Sequence, residues 1–209
     1  MIGIIDYGMG NLRSVEKALI GLYPDTKIIN SIDDIKCADK IILPGVGAFG
    51  EAMNNLNSMG IIPAVLDHIS DNKPFLGICL GFQLLFDESE EFGHTKGLSI
   101  IPGKVQKFEL GSFKVPHMGW NTVKIKKAGL YNGIADDSYF YFVHSFYVKP
   151  QNDDVISGVT SYGDFDFCSS IEKGNVFGVQ FHPEKSSNIG CQLLNNFINF
   201  SSIFSGDRS

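Results

Sequence analysis

The chain has 209 residues, 44% of them hydrophobic, and a formal charge of −6 from 17 basic and 23 acidic side chains. That length suits one domain able to bury about 70% of its unfolded surface, and the acidic balance, with no basic stripe, argues against nucleic acid as a partner. No apolar run approaches the ~20 residues needed to cross a bilayer.

Met1 opens almost directly on a strand, Ile2 to Asp6, with no charged leader, so a cytosolic, cytoplasmic chain is expected. The glycines of Gly8-Met9-Gly10 invite a dinucleotide reading, but Arg13 stands where a third glycine should be, and the second strand ends on Asn30 instead of an acid. A helix over Leu12 to Leu22, strands over Lys27 to Ile29 and Lys40 to Leu43, and a helix over Ile61 to Ile69 follow. Alternation of this kind predicts a parallel sheet covered on both faces.

The segment KPFLGICLGFQLLF, Lys73 to Phe86, carries the chemistry. Phe75 to Ile78 reads as a buried strand, and Leu80, Gln83, Leu84 and Leu85 as the first turns of a helix. Cys79 lies at the junction, flanked by Gly77 and Gly81, as a nucleophile does on a strained strand-to-helix elbow. The N–H groups of the helix start would favour its thiolate. A small cysteine packing a strand end is the plainer alternative, and the paired glycines weigh against it.

The second half is richer in strands: Lys104 to Phe108, Asn121 to Ile125, Tyr139 to Val143, Val155 to Thr160, Cys168 to Glu172 and Val176 to Phe181. Lys124, Lys126 and Lys127 read as a solvated strand edge, a helix is expected over Asn188 to Phe200, and residues 204–209 are expected to fray beyond a single domain of 1–203. The four cysteines show no metal spacing, so Cys37, Cys168 and Cys191 read as small packing residues. No metal or cofactor is implied.

A thiolate nucleophile needs a base that also returns a proton to the leaving group, and five histidines are available. His182 follows the apolar run Val176 to Phe181, Pro183 stops the strand, and Glu184 can turn back onto the imidazole. Spacing assembles nucleophile, base and orienting carboxylate without proving that Cys79 and His182 meet. His144 reads as a core histidine, and His117 as a residue shaping a surface beside Trp120.

GICLGFQLLF with GVQFHPEKS resembles the class I (triad) glutamine amidotransferases, and more narrowly their HisH group, the glutaminase subunits of imidazole glycerol phosphate synthase. DYGMGNLRSVEKAL from Asp6 to Leu19, LPGVGAFGEAM from Leu43 to Met53, PHMGWN from Pro116 to Asn121 and HPEKSS from His182 to Ser187 support the narrower match. The resemblance implies an α/β, flavodoxin-like, mixed and largely parallel sheet with helices on both faces. It implies a partner, a HisF-type (β/α)8 cyclase in a one-to-one heterodimer, which uses ammonia from L-glutamine to convert the ribulosyl aminoimidazole carboxamide ribonucleotide PRFAR to imidazole glycerol phosphate and AICAR.

Attack on a carboxamide creates an oxyanion that preorganised N–H groups must meet. Leu80 on the elbow supplies one, and the loop Pro44-Gly45-Val46-Gly47 is placed to supply another. In proteins of the HisH group this loop is held unproductive until the partner carries its substrate, so a flip at Val46 is the expected switch. The resemblance assigns Gln83 and Glu91 to the polar end of the substrate, adds contacts from Gly47, Ser145 and Phe146, and puts Asn11, Trp120 and Lys185 at the docking face. Three alternatives remain at this stage: a HisH-like glutaminase feeding another synthase, such as one aminating a sugar; a silent module that only stabilises a cyclase; and a peptidase or hydrolase on the same scaffold.

Overall fold

The computed structural model describes residues 1–109 and 114–201. Its first half runs β1 (Ile2–Ile5), α1 (Leu12–Ile20), β2 (Thr26–Ile29), α2 (Ile32–Cys37), β3 (Lys40–Leu43), α3 (Phe49–Ser58), α4 (Ile62–Ser70) and β4 (Phe75–Ile78). Then come α5 (Leu80–Gln83), β5 (Phe86–Ser89), β6 (Thr95–Lys96), β7 (Ile101–Lys107), β8 (His117–Ile125), β9 (Ser138–His144) and β10 (Phe146–Pro150). The chain continues with β11 (Ile156–Tyr162), β12 (Phe165–Lys173), β13 (Val176–Val179) and α6 (Ser187–Asn199).

The sheet is ordered β2-β1-β3-β4-β13-β12-β10-β7-β5-β6, with a branch in which β11 pairs with both β12 and β8, and β8 with β9. The five strands from β2 to β13 are mutually parallel. Their sequences, IGII, KIIL, FLGI and VFGV among them, are nearly all apolar because both faces are covered. One face packs Ile35 of α2, Phe49 and Leu56 of α3 and Val65 of α4; the other packs Val15 and Leu19 of α1 and Leu193 and Phe197 of α6. The expected mixed, largely parallel α/β sheet is what is found.

Several expectations need correcting. The elbow helix is one turn, because Leu84 and Leu85 are buried and Phe86 already belongs to β5; apolar runs inside a sheet and inside a buried helix look alike. α2, α3, β5, β6 and β10 were not expected. β8 pairs with β9 from His117 to Val123 and with β11 at Lys124 and Ile125, so exposed Lys124 has a neighbouring strand on one side only. Of the three cysteines expected to pack, Cys37 and Cys191 are exposed thiols and Cys168 lies in the core. The 204–209 tail lies outside the described residues. Among the described residues no helix is long and apolar enough to cross a membrane.

Candidate active site

The elbow forms where β4 meets α5. Cys79 takes φ 54° and ψ −105°, a backbone state rare for a residue with a side chain. Its two glycines are required by contact. A Cβ on Gly77 would lie 2.6 Å from the Gly81 carbonyl oxygen, and one on Gly81 would run into the carbonyl of Leu43.

Parallel pairing of β4 with β13 brings His182 toward Cys79. Ile78 is in register with Val179, and the Cys79 N–H donates to the Val179 carbonyl at 2.8 Å, so Gln180 and then His182 arrive beside the elbow. The His182 backbone is fixed to β9 by its N–H on the Tyr141 carbonyl at 2.9 Å. Its Nδ1 meets Glu184 Oε1 at 2.8 Å, with both side chains buried. Glu184 Oε1 also accepts from half-buried Asn11 Nδ2, so Asn11 extends the row.

Burial pushes the His182 imidazolium down, but its contacts with Cys79 and Glu184 and the charge of both outweigh that and raise it to about 10. Among the described residues its Nε2 has only the Cys79 sulfur to turn to and no nitrogen or oxygen partner, which leaves it open to exchange a proton. A cationic ring thus stands beside the sulfur, at the start of a helix of a single turn.

A cavity of about 330 Å³ opens over Cys79. Val46, Gly47, Leu80, Gln83, Glu91, Ser145 and Phe146, all the expected oxyanion and substrate residues, line it. Pro116, Val143 and His144 complete the wall. Gln83 Nε2 donates to the Phe146 carbonyl at 3.1 Å and to Gln180 Oε1 at 3.0 Å, so Oε1 is the group its amide can offer a ligand. Glu91 is part of a turn after β5, and its Oε2 accepts the Phe49 N–H at 2.6 Å, capping α3 directly behind the Gly47 loop.

The Leu80 N–H, an expected oxyanion donor, is engaged by the Gly45 carbonyl at 3.3 Å. That carbonyl belongs to the same peptide unit as the Val46 N–H. Gly45 must be glycine, since a Cβ would collide with the Tyr7 hydroxyl, which itself donates to the Pro44 carbonyl at 2.8 Å. Tyr7 and Gln180 were missed in the sequence. A lone glutamine beside an apolar run was the available signal for Gln180, because a buried amide has to find partners.

Trp120 is 52% exposed, beside Met118 at 62%, and its ring meets Tyr141 edge-on at 6.1 Å. Lys185 Nζ lies 6.0 Å from the centre of the Tyr141 ring, which joins Trp120 and Lys185 in one surface. His117 does not belong to it. Alternation along β8 turns His117 inward, where its Nδ1 meets His144 Nε2 at 3.0 Å and its Nε2 meets Asn121 Nδ2 at 3.2 Å. His144 Nδ1 donates to the Phe146 carbonyl at 2.8 Å. Burial lowers His117 to about 4 and His144 to about 3, so both are neutral. Among the described residues no three His, Cys, Asp or Glu side chains gather to hold a metal.

Residues 4–200 match the class-I glutamine amidotransferase family. The imidazole glycerol phosphate synthase subunit HisH of Methanocaldococcus jannaschii is 53% identical over 199 residues, covering 95% of this chain and 98% of that one. The HisH subunit of Moorella thermoacetica is 50% identical over 197 residues, covering 94% and 93%. In fold, the chain is similar to a solved glutamine amidotransferase at TM-score 0.74 and 17% identity, covering 94% of this chain and 96% of the other. PurLQS from Thermotoga maritima gives TM-score 0.67 at 19% identity, covering 95% and 97%. The chain belongs to the class-I glutamine amidotransferase family. Within it, the chain falls in the HisH group.

Proposed function

We propose that this chain is the glutaminase half of an imidazole glycerol phosphate synthase in the cytoplasm, working as a one-to-one heterodimer with a HisF-type (β/α)8 cyclase. The identity of about half to HisH subunits over nearly the whole of both chains carries this reading, and makes a glutaminase serving another synthase the weaker alternative. The Cys79, His182 and Glu184 row argues against a silent binding module.

Cys79 Sγ attacks the carboxamide carbon of glutamine, and the C–N bond breaks as His182 Nε2–H protonates the departing ammonia. The glutamyl thioester remains on Cys79. Water then adds as His182 takes its proton, the C–S bond breaks with its electron pair returning to sulfur, and glutamate leaves. Glu184 keeps the ring oriented and favours its cationic form each time it holds the proton. Ammonia passes to the cyclase, whose acceptor is PRFAR.

The Gly45–Val46 peptide is the gate of this reading. With its carbonyl on the Leu80 N–H, the oxyanion lacks a donor. A lost oxyanion donor costs on the order of 100-fold to 1000-fold in rate. Rotation of that peptide would release Leu80 and turn the Val46 N–H into the cavity.

The test is to mix the chain with the cyclase and measure glutamine turnover alone, with partner, and with partner plus nucleotide ligand. Turnover should be negligible alone and highest in the ternary mixture. A lone chain running at the fully activated rate would overturn the gate and favour an autonomous hydrolase. Trp120, the only tryptophan, should change its fluorescence on mixing; confirmed binding with an unchanged spectrum would remove it from the interface.

A further inference from the structure

Gln180 is fully buried at 0% exposure, next to the nucleophile, and the chemistry above gives it no task. Its Nε2 lies 3.7 Å from Cys79 Sγ, within hydrogen-bond reach of a sulfur acceptor. The direction of that contact is fixed two residues away. The Phe146 carbonyl can only accept, so Gln83 must turn its NH2 group toward it, at 3.1 Å. The second N–H of Gln83 goes to Gln180 Oε1 at 3.0 Å, which leaves Gln180 with its own NH2 facing the sulfur. Turning either amide over would set donor against donor or carbonyl against carbonyl.

We propose that Gln180 is a further catalytic residue, a hydrogen-bond donor to the Cys79 sulfur, and that Gln83 is the positioning residue that fixes its polarity. This rests on Cys79 being the nucleophile. A buried thiolate needs donors as any buried anion does, and among the described residues this amide stands as a neutral donor alongside the cationic His182. Among the described residues, the charged or titratable groups around the sulfur include His182, backed by Glu184, and Tyr7, and the Glu91 carboxylate lines the same cavity. His144 lines the same cavity in its neutral form. The nearby Val143 carbonyl, at 4.0 Å, offers no donor. The sulfur carries negative charge twice in the cycle: before attack, and again when the C–S bond of the thioester breaks and its electron pair returns to sulfur. A donor placed there favours both moments. Its loss should therefore slow breakdown of the thioester and disfavour the free thiolate.

The experiment uses the complex with the cyclase, in a chain carrying Cys37→Ser and Cys191→Ser so that the exposed thiols do not react. Gln180→Met keeps the volume and removes the donor; Gln83→Met leaves Gln180 in place and removes its anchor. Alkylation of Cys79 by iodoacetamide is followed against pH, and glutamine turnover is measured alongside. Gln180→Met should move the alkylation midpoint up by roughly one pH unit, about tenfold less thiolate at a given pH. It should also lower kcat on the order of tenfold with KM for glutamine little changed, and let the glutamyl thioester accumulate to a level visible by mass spectrometry of quenched enzyme. Gln83→Met should shift the midpoint in the same direction by less, and this reading stands even if Gln180→Met fails to bind the cyclase. An unchanged midpoint in the variants that bind, with or without a fall in kcat, overturns the proposal and makes Gln180 a spacer. A Cys79→Ala complex that still turns glutamine over overturns the nucleophile assignment itself, a separate result in a separate sample.

Discussion

His182 and the His117–His144 pair are buried to similar degrees, at 1%, 3% and 6% exposure, and lie around the same elbow. Their charge states are opposite. His182 has a carboxylate on one side and sulfur on the other, which raise its imidazolium against the cost of burial. His117 and His144 face an amide, a backbone carbonyl and each other, so nothing repays the desolvation of a cation and burial holds them neutral. Depth in the fold does not assign a histidine its role; the partners at its two nitrogens do. In the proposed reaction the first site moves protons, while the other braces the Phe146 carbonyl in the cavity wall.

The comparison breaks most completely if the charged site loses its sulfur. Cys79→Ala in the reconstituted complex should abolish glutamine-dependent synthesis, while ammonia-dependent synthesis by the cyclase persists, as rates with each nitrogen source will reveal. Val46→Pro comes next. It removes the N–H that rotation of the Gly45–Val46 peptide would supply, so activation by the nucleotide ligand should drop on the order of 100-fold to 1000-fold while glutamine still binds. Turnover and glutamine affinity, each with and without ligand, separate the two effects.

Glu184→Gln should cost less than losing Cys79 or His182, on the order of 100-fold, because the carboxylate holds and charges the ring without exchanging the proton itself. Steady-state rates for the three variants give the rank order, and a Glu184→Gln enzyme as dead as Cys79→Ala would count against that role. The neutral site predicts a smaller effect, on stability. His144 titrates near 3 when folded against about 6.5 when unfolded. Below pH 6.5 the unfolded chain therefore binds a proton that the native state refuses, and stability falls with pH. Between pH 7 and pH 5 the loss should be on the order of 2 kcal/mol for this histidine. Urea unfolding at the two pH values measures it, and His144→Gln should shrink the difference by about that amount, leaving the parts due to His117 and His68.

The parallel half was legible because strands covered on both faces are continuous apolar runs. The same property hid the end of the elbow helix, since Leu84, Leu85 and Phe86 are apolar in either state. α2 carried a readable signal, Ser31 capping the Asp34 N–H at 3.2 Å, whereas α3, with the run Asn54-Asn55 and then Asn57-Ser58, has weak helical propensity and is held by packing. The elbow and the His182–Glu184 spacing were visible as motifs. The polar chain from Phe146 through Gln83 to Gln180 was not, because it joins β10, α5 and the end of β13, and pairing registers of that kind have no local signature.

The Gly45 carbonyl on the Leu80 N–H has a consequence for dynamic range. A peptide plane is rigid, so its oxygen and its N–H exchange sides in one rotation. The oxyanion site would gain two donors in that single motion: the Leu80 N–H released and the Val46 N–H delivered. With each worth on the order of 100-fold to 1000-fold, full additivity would give a switch of roughly four to six decades from the turning of one amide. Such a latch would have two positions and no useful halfway setting, and would keep glutamine nitrogen from leaking away as free ammonia while the acceptor is absent.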